Sequence, residues 1–297
     1  MDTAIGFVGL GAMGWPMASH LVKGGYDVFA FDASRETLEK FTAEVGGHAC
    51  ASLREVGMAA QIVVTMVPTS KVVRAVLLGE NGIASALRSG AVVIDMSSGV
   101  PGETVELAAE LKARGIELVD APVSGGTRRA VTAELAIIAG GAAETIEAVT
   151  PVLRTLGSSV TRMGSIGAGQ AMKALNNLAQ AGSFLIALEA LLVAKKFGLD
   201  PEQVVDVLNA SSGMNYNTQT KFKQFLLSGT FAAGFSLDLL VKDIGIAVQL
   251  ADQLGATVPI SSACQAAWTE ALENLGAGHD HTEIAKVAAR AVGVTFP

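Results

Sequence analysis

The sequence predicts an α/β chain: a doubly wound parallel sheet in the first half and an all-helical second half. Short β-branched runs alternate with helical stretches as far as residue 139. From Gly167 onward only long apolar patterns of helical period remain, with no convincing strand. A glycine-rich segment, SIGAGQ, stands at the change of period and marks a boundary between residues 164 and 169.

The strands expected are residues 4–8, 27–31, 62–66, 92–95, 117–119 and 135–139, each bounded by turn-forming residues. The helices expected in the second half are 171–197, 201–210, 237–254 and 259–275. Residues 1–164 are therefore assigned to a nucleotide-type α/β domain and 165–297 to a helical domain. At 297 residues the chain is long enough for two domains. An apolar share of 50% with 16% charged residues excludes a disordered chain.

A net charge of -7, with Lys and Arg scattered, argues against a nucleic-acid partner. Cys50 and Cys264 are far apart and match no metal-binding spacing, so neither a disulfide framework nor a zinc site is expected. A reducing cytoplasm is the expected compartment, since no basic-then-apolar export signal opens the chain. Residues 177–197 are nearly long enough to span a bilayer, but Glu189 interrupts them and Lys195 and Lys196 close them. They read as a core helix, with no membrane partner.

The first strand runs into Gly9-Leu10-Gly11-Ala12-Met13-Gly14 and then an amphipathic helix, which is the GxGxxG dinucleotide fingerprint in its proper setting. Gly9 allows the tight turn, Gly11 lets backbone approach a pyrophosphate, and Gly14 permits close packing of helix on strand. The phosphates would meet helix N–H groups. Asp32 ends the second strand, where a carboxylate accepts hydrogen bonds from the adenosine ribose hydroxyls and repels a 2′-phosphate. This favours NAD, although Arg35 nearby tempers the exclusion of NADP. Met66-Val67-Pro68 and Ser98 follow later strands and are expected to line the same crevice of this Rossmann-type sheet.

The next motif is DAPVSGG. Ser124 offers a hydroxyl, and Gly125 and Gly126 offer successive unobstructed N–H groups, a nest for a small carboxylate or else a plain turn. In GAGQAMKALNN, Lys173 and Asn177 lie four apart on one helix face. Oxidising an alcohol requires a base, and no histidine stands among these motifs to supply one. The pKa of Lys173 would have to fall by roughly 3 from about 10.4, at about 4 kcal/mol, through desolvation and neighbouring positive charge. Lys242 and Asp243 form a charge pair amid apolar residues, either tying the helical domain to the cofactor cleft or lying idle at the surface. Ser211, Ser212 and Asn215 fall in a polar loop. His279 and His281 are expected at the surface, without a metal.

Together the segments GFVGLGAMGWPMASHL, DAPVSGG, GAGQAMKALNN and LVKDIGIA resemble, in order and spacing, the β-hydroxyacid dehydrogenase family, whose members act on 3-hydroxyisobutyrate and tartronate semialdehyde. The resemblance implies that Ser124, Gly125 and Gly126 bind the substrate carboxylate, that Lys173 is catalytic and Asn177 assists it, and that Lys242 lies beside the site. It further implies metal-free chemistry between a dinucleotide domain and a helical domain that forms dimers or tetramers through its long helix. The expected function is NAD-dependent hydride transfer to or from a small β-hydroxy acid or semialdehyde. A tartronate semialdehyde reductase, or an enzyme of a related hydroxy acid or sulfonate, is the alternative. Lys173 argues against the imine reductases of the same fold, and chain length against 6-phosphogluconate dehydrogenases. A silent cofactor-binding scaffold would lack Lys173 or Asn177. One departure stands out: the family carries Gly-Thr-Leu after DAPVSGG, where this chain has Ala133-Glu134-Leu135.

Overall fold

A computed structural model of the chain describes residues 3–296. It divides into two compact units, Met1–Lys173 and Ala174–Pro297. In the first unit, β1 (Ala4–Val8), α1 (Gly14–Lys23), β2 (Asp27–Phe31), α2 (Arg35–Glu44), β3 (His48–Ala49), α3 (Leu53–Ala59), β4 (Ile62–Thr65), α4 (Ser70–Leu78), β5 (Val92–Asp95), α5 (Pro101–Lys112) and β6 (Glu117–Asp120) alternate strand and helix. They are followed by β7 (Val123–Ser124), α6 (Gly126–Val131), β8 (Leu135–Gly140), α7 (Ala143–Leu156) and β9 (Gly157–Gly164).

The sheet runs β3-β2-β1-β4-β5-β6-β8-β7, with β9 paired to β8. All pairs from β3 to β6 are parallel, and β6 meets β8 antiparallel. Strand order reverses at β1, so β2 and β4 flank it and a crevice opens at their carboxyl ends. Successive residues of each strand feed opposite layers. Val64, Ile94 and Val119 pack with Met17, Leu21 and Phe41 on one face. Val63, Val93 and Leu118 pack with Val56, Leu77 and Leu111 on the other. Burial on both faces explains why these strands read as continuous apolar runs.

The long helix α8 (Ala168–Phe197) crosses from the first unit into the second. The second unit adds α9 (Pro201–Asn209), α10 (Leu237–Gln253), α11 (Pro259–Leu275) and α12 (Ile284–Ala291), with a π-helical stretch at Thr218–Leu227. Its core gathers Phe184, Leu188, Leu191, Phe222, Leu240 and Trp268. Among the described residues no strand follows residue 164. Strand β9, GSSVTRMG, escaped the sequence reading because it is a largely exposed edge strand with no apolar alternation.

The surface expectation for His281 is wrong. Its ring is fully buried against Phe184, Phe235 and Trp268, neighbours that lie remote in sequence and give no local sign of a core position.

Ala133 holds a left-handed φ of 56°. It ends α6 in a Schellman turn, with Glu134 N–H donating to the Arg129 carbonyl at 2.9 Å. The chain thus keeps the backbone shape that glycine serves and bears the Cβ clash, roughly 1–2 kcal/mol. Ala133→Gly is expected to stabilise the protein by about 0.5–1.5 kcal/mol, after subtracting roughly 0.5 kcal/mol for the freer unfolded chain. Urea unfolding of the pair checks this, and an unchanged or lower midpoint would contradict it.

Candidate active site

The fingerprint glycines divide by what surrounds them. A Cβ on Gly14 would lie 1.8 Å from the Gly9 carbonyl oxygen, and one on Gly9, whose φ is 99°, 2.3 Å from that of Met66. Both are fixed by backbone approaching backbone. A Cβ on Gly11 would meet nothing within 4 Å. Its exposed backbone fronts open space at the start of α1, where Met13 provides no side-chain cap and the first turn holds no acidic residue. Uncapped N–H groups beside an open, side-chain-free backbone suit a pyrophosphate.

Asp32 is bound by its own loop: Oδ2 accepts from Leu10 N–H at 2.6 Å and Oδ1 from Ser34 N–H at 2.8 Å. These bonds fix the carboxylate beside the fingerprint, and each oxygen keeps lone-pair capacity for a hydroxyl donor. Arg35 is turned to Glu39, 2.7 Å away, in an exposed pair. The strand-end loops are laced together. Thr65 Oγ1 donates to Asp95 Oδ1 at 2.8 Å, Ser97 N–H donates to the same oxygen at 3.1 Å, and Val67 N–H donates to Ser97 Oγ at 3.0 Å. Met66 and Val67 therefore pack on Gly9, and half-buried Ser98 sits in the adjoining loop.

At the end of β7, Ser124 is followed by Gly125 at φ 129° and Gly126 at φ 65°. Gly126 is open around its Cβ position, whereas at Gly125 the stem of Arg129 lies within 3.0 Å. Lys173, half-buried, closes the first unit's share of α8. The first unit thus brings the fingerprint, Asp32, Met66-Val67-Pro68, Ser98, the Ser124–Gly126 turn and Lys173 into one compact body.

Asn177 and Lys242 belong to the second unit. Asn177 Nδ2 donates to Asp243 Oδ2 at 2.6 Å, and Lys242 Nζ lies 3.2 Å from Asp243 Oδ1. Asp243 is 3% exposed and the Lys242 side chain 25%, so the pair is anchored in the core by its carboxylate. Its role in holding Asn177 joins residues 66 apart and is invisible in the local sequence. Asn215 serves its own loop, accepting from Asn217 and Thr218 N–H at 2.9 and 3.2 Å.

The residues 4–164 match the family described as the NAD binding domain of 6-phosphogluconate dehydrogenase, and 167–288 match the NAD-binding region of NADP-dependent 3-hydroxyisobutyrate dehydrogenase. The chain is 38% identical to 2-(hydroxymethyl)glutarate dehydrogenase of Eubacterium barkeri, over 87% of this chain and 85% of that protein. It is 34% identical to 3-sulfolactaldehyde reductase of Escherichia coli (strain K12), covering 90% of each. Among solved structures it resembles the 3-hydroxyisobutyrate dehydrogenase of Mycobacterium tuberculosis with L-serine, at TM-score 0.89 and 31% identity, over 97% of this chain and 99% of that one.

In the second unit, His281 Nδ1–H donates to the Phe235 carbonyl at 2.9 Å and Nε2 accepts from Lys221 Nζ at 2.8 Å. Burial, then the Lys221 charge, lowers the ring to about 4 from 6.5. The folded ring stays neutral where an unfolded one protonates, so its contribution is complete above pH 6.5 and is lost as pH falls to 4. Asp120, raised by burial to about 6 from 3.8, acts with the opposite sign in the first unit. The quantity to measure is therefore the stability difference between wild type and His281→Phe. It is expected to shift against wild type as the pH falls from 7 to 4; a pH-independent difference would refute it.

Proposed function

This chain belongs to the β-hydroxyacid dehydrogenase family of NAD(P)-dependent oxidoreductases, and from that premise we propose that it oxidises a small β-hydroxy acid, or reduces the matching semialdehyde, with Lys173 as general acid and base. The observation that carries this reading is the collection, within one compact unit, of an open dinucleotide fingerprint, the Ser124–Gly126 turn and a half-buried lysine. Residues 1–164 are assigned to cofactor binding and 165–297 to the substrate side and to assembly.

Gly9, Leu10, Gly11, Ala12, Met13 and Gly14 would hold the pyrophosphate, Asp32 the adenosine ribose, and Met66, Val67, Pro68 and Ser98 the nicotinamide half. Bound nicotinamide supplies a carbon that accepts or releases hydride. Ser124, Gly125 and Gly126 present a hydroxyl and two N–H groups to the substrate carboxylate, which anchors the hydroxyl carbon. The Lys173 amine takes the hydroxyl proton as hydride departs and returns it in the reverse direction. Asn177, its Nδ2 engaged by Asp243, offers Oδ1 to the amine or the hydroxyl, and Lys242, beside Asp243, is assigned to the substrate.

The position of Asp32 favours NAD, with NADP as the weaker cofactor. A second carboxylate on the substrate, or a sulfonate in place of the first, extends the candidate class, because the named relatives include enzymes of a 2-(hydroxymethyl)glutarate and of a 3-sulfolactaldehyde. The cytoplasm is the assigned compartment.

Helix α8 is long and apolar enough to cross a membrane, but Phe184, Leu188 and Leu191 commit one face to the second unit's core. Its opposite face exposes Leu175, Ala179, Ile186, Ala190, Val193 and Phe197, all on one stripe. Ile186 at 65%, Val193 at 69% and Phe197 at 83% exposure are costly in water. A second copy of this chain, pairing α8 with α8 in a homodimer or homotetramer, would cover them.

Lys173→Ala is expected to lower kcat at least ~10³-fold while NADH binding persists, because the amine acts only in proton transfer. A panel of 3-hydroxyisobutyrate, glycerate, serine, threonate and sulfonate analogues, run with both cofactors, supplies the activity to be compared. Near-normal turnover of the variant would sink the assignment. Ile186→Glu combined with Val193→Glu is expected to yield monomers by light scattering, and an unchanged mass would refute pairing through α8.

A further inference from the structure

Four helices of the first and second units are capped from next door. Ser34, Ser52, Thr69 and Asp200 each accept an N–H three residues on, at the starts of α2, α3, α4 and α9. Such caps stabilise a helix but leave it unattached to anything else. Helix α8 is held differently. The carboxylate of Asp120, at the end of β6, accepts from Gly167 N–H through Oδ1 at 2.7 Å and from Gln170 N–H through Oδ2 at 2.8 Å. The sequence separations are 47 and 50 residues.

Asp120 is fully buried, and the backbone is shaped to admit it. A Cβ on Gly140 would stand 2.5 Å from Oδ1, and one on Gly169 2.7 Å from Oδ2. Burying a carboxylate is costly, and a local serine would have capped only one of these N–H groups. What the long-range carboxylate adds is a fixed attachment of the helix to the sheet.

Gln170 extends the attachment. Its side chain, 1% exposed, donates from Nε2 to the Ser97 carbonyl at 2.8 Å and accepts Gly99 N–H on Oε1 at 2.8 Å. One amide therefore grips the backbone on both sides of Ser98. Lys173 follows Gln170 by three residues, on the same side of the helix.

We propose that Asp120 and Gln170 are positioning residues: together they lock the first turn of α8 to the ends of β5 and β6 and so set the reach of Lys173 relative to the Ser98 loop. The inference rests on the catalytic reading of Lys173. Neither side chain takes part in proton or hydride transfer; each acts through the geometry of the amine. A loosening of this clamp by an ångström is enough to cost about 100-fold in rate.

The test uses the full-length enzyme and single-turnover hydride transfer, with NADH affinity measured separately by fluorescence. Gln170→Ala is expected to slow hydride transfer about 10- to 100-fold, with NADH Kd and hydroxy-acid KM within about threefold of wild type. Asp120→Asn should show the same split; if that variant does not fold, Gln170→Ala carries the test alone. Hydride transfer within threefold of wild type in Gln170→Ala would overturn the proposal. So would a parallel loss of cofactor affinity, KM and folded protein, which marks a structural role only. Lys173→Ala is the control that separates the two readings. If it abolishes turnover while Gln170→Ala is normal, only the clamp fails; if Lys173→Ala is itself active, the catalytic reading falls and takes the clamp with it.

Discussion

A parallel sheet delivers its loops at one edge, and the first unit's candidate site follows from that constraint. From β1 to β6 each crossover must carry the chain back before the next strand can run in the same direction, so these strands end on the same side. Here the register makes the edge nearly a straight row. Val8 pairs with Thr65, Thr65 with Asp95, Asp95 with Asp120, and Asp120 with Gly140. Neighbouring strands lie about 4.8 Å apart, so polar side chains at these positions stand within reach of each other and of the loops above. Apolar residues fill the strands below, and polar residues appear where the chain leaves the sheet. The row does two things at once: it ties the loops to the sheet, and it leaves their backbone groups and side chains in one place.

Glycine enters this edge for two distinct physical reasons. At Gly9, Gly14, Gly140 and Gly169 there is no room for a side chain, since carbonyl oxygens or the Asp120 carboxylate occupy the space. At Gly11 and Gly126 there is room, and it is empty. The second kind leaves backbone open to approach. The first kind sets how closely helix, strand and carboxylate approach, and from sequence the two kinds look alike.

That distinction separates what was legible from what was not. The strands β1, β2 and β5 emerged with their observed limits, and β4, β6 and β8 to within one residue, because each is a short run rich in apolar residues with at least one face buried. The two-residue strands β3 and β7 and the exposed β9 carry no such pattern. The π-helical stretch was missed because TQTKFKQFLL mixes polar and apolar residues without a clear stripe. Helix α12 is eight residues long, close to the lower limit at which periodicity is informative. The fingerprint, the Ser124–Gly126 turn and the Lys173–Asn177 spacing were readable because each is local. Asp120 and Gln170 stand within the same motifs, yet their roles were hidden, since their partners lie 47 to 73 residues away. The available signal was an aspartate closing a buried strand with no adjacent helix start to cap.

The second unit repeats the device on its own share of α8. Asp243, nearly fully buried on α10, accepts from Asn177 Nδ2, which orients the amide and leaves Oδ1, shared at 3.3 Å with Asn176 Nδ2, as the acceptor. Lys242 Nζ stands near the other carboxylate oxygen at 3.2 Å without the alignment of a hydrogen bond, so the ion pair alone is weak grounds for keeping an aspartate there. What repays the burial is the fixed orientation of an amide. Within each unit, then, a buried carboxylate contributed from outside α8 holds the part of that helix belonging to the unit: its first turn by backbone in one, Asn177 by side chain in the other. Lys173 lies in the short stretch between these two anchors. A flexible side chain that must present its amine at one point gains most from a helix that cannot slide or turn beneath it, and rigidity of that kind cannot come from helix propensity or from local caps.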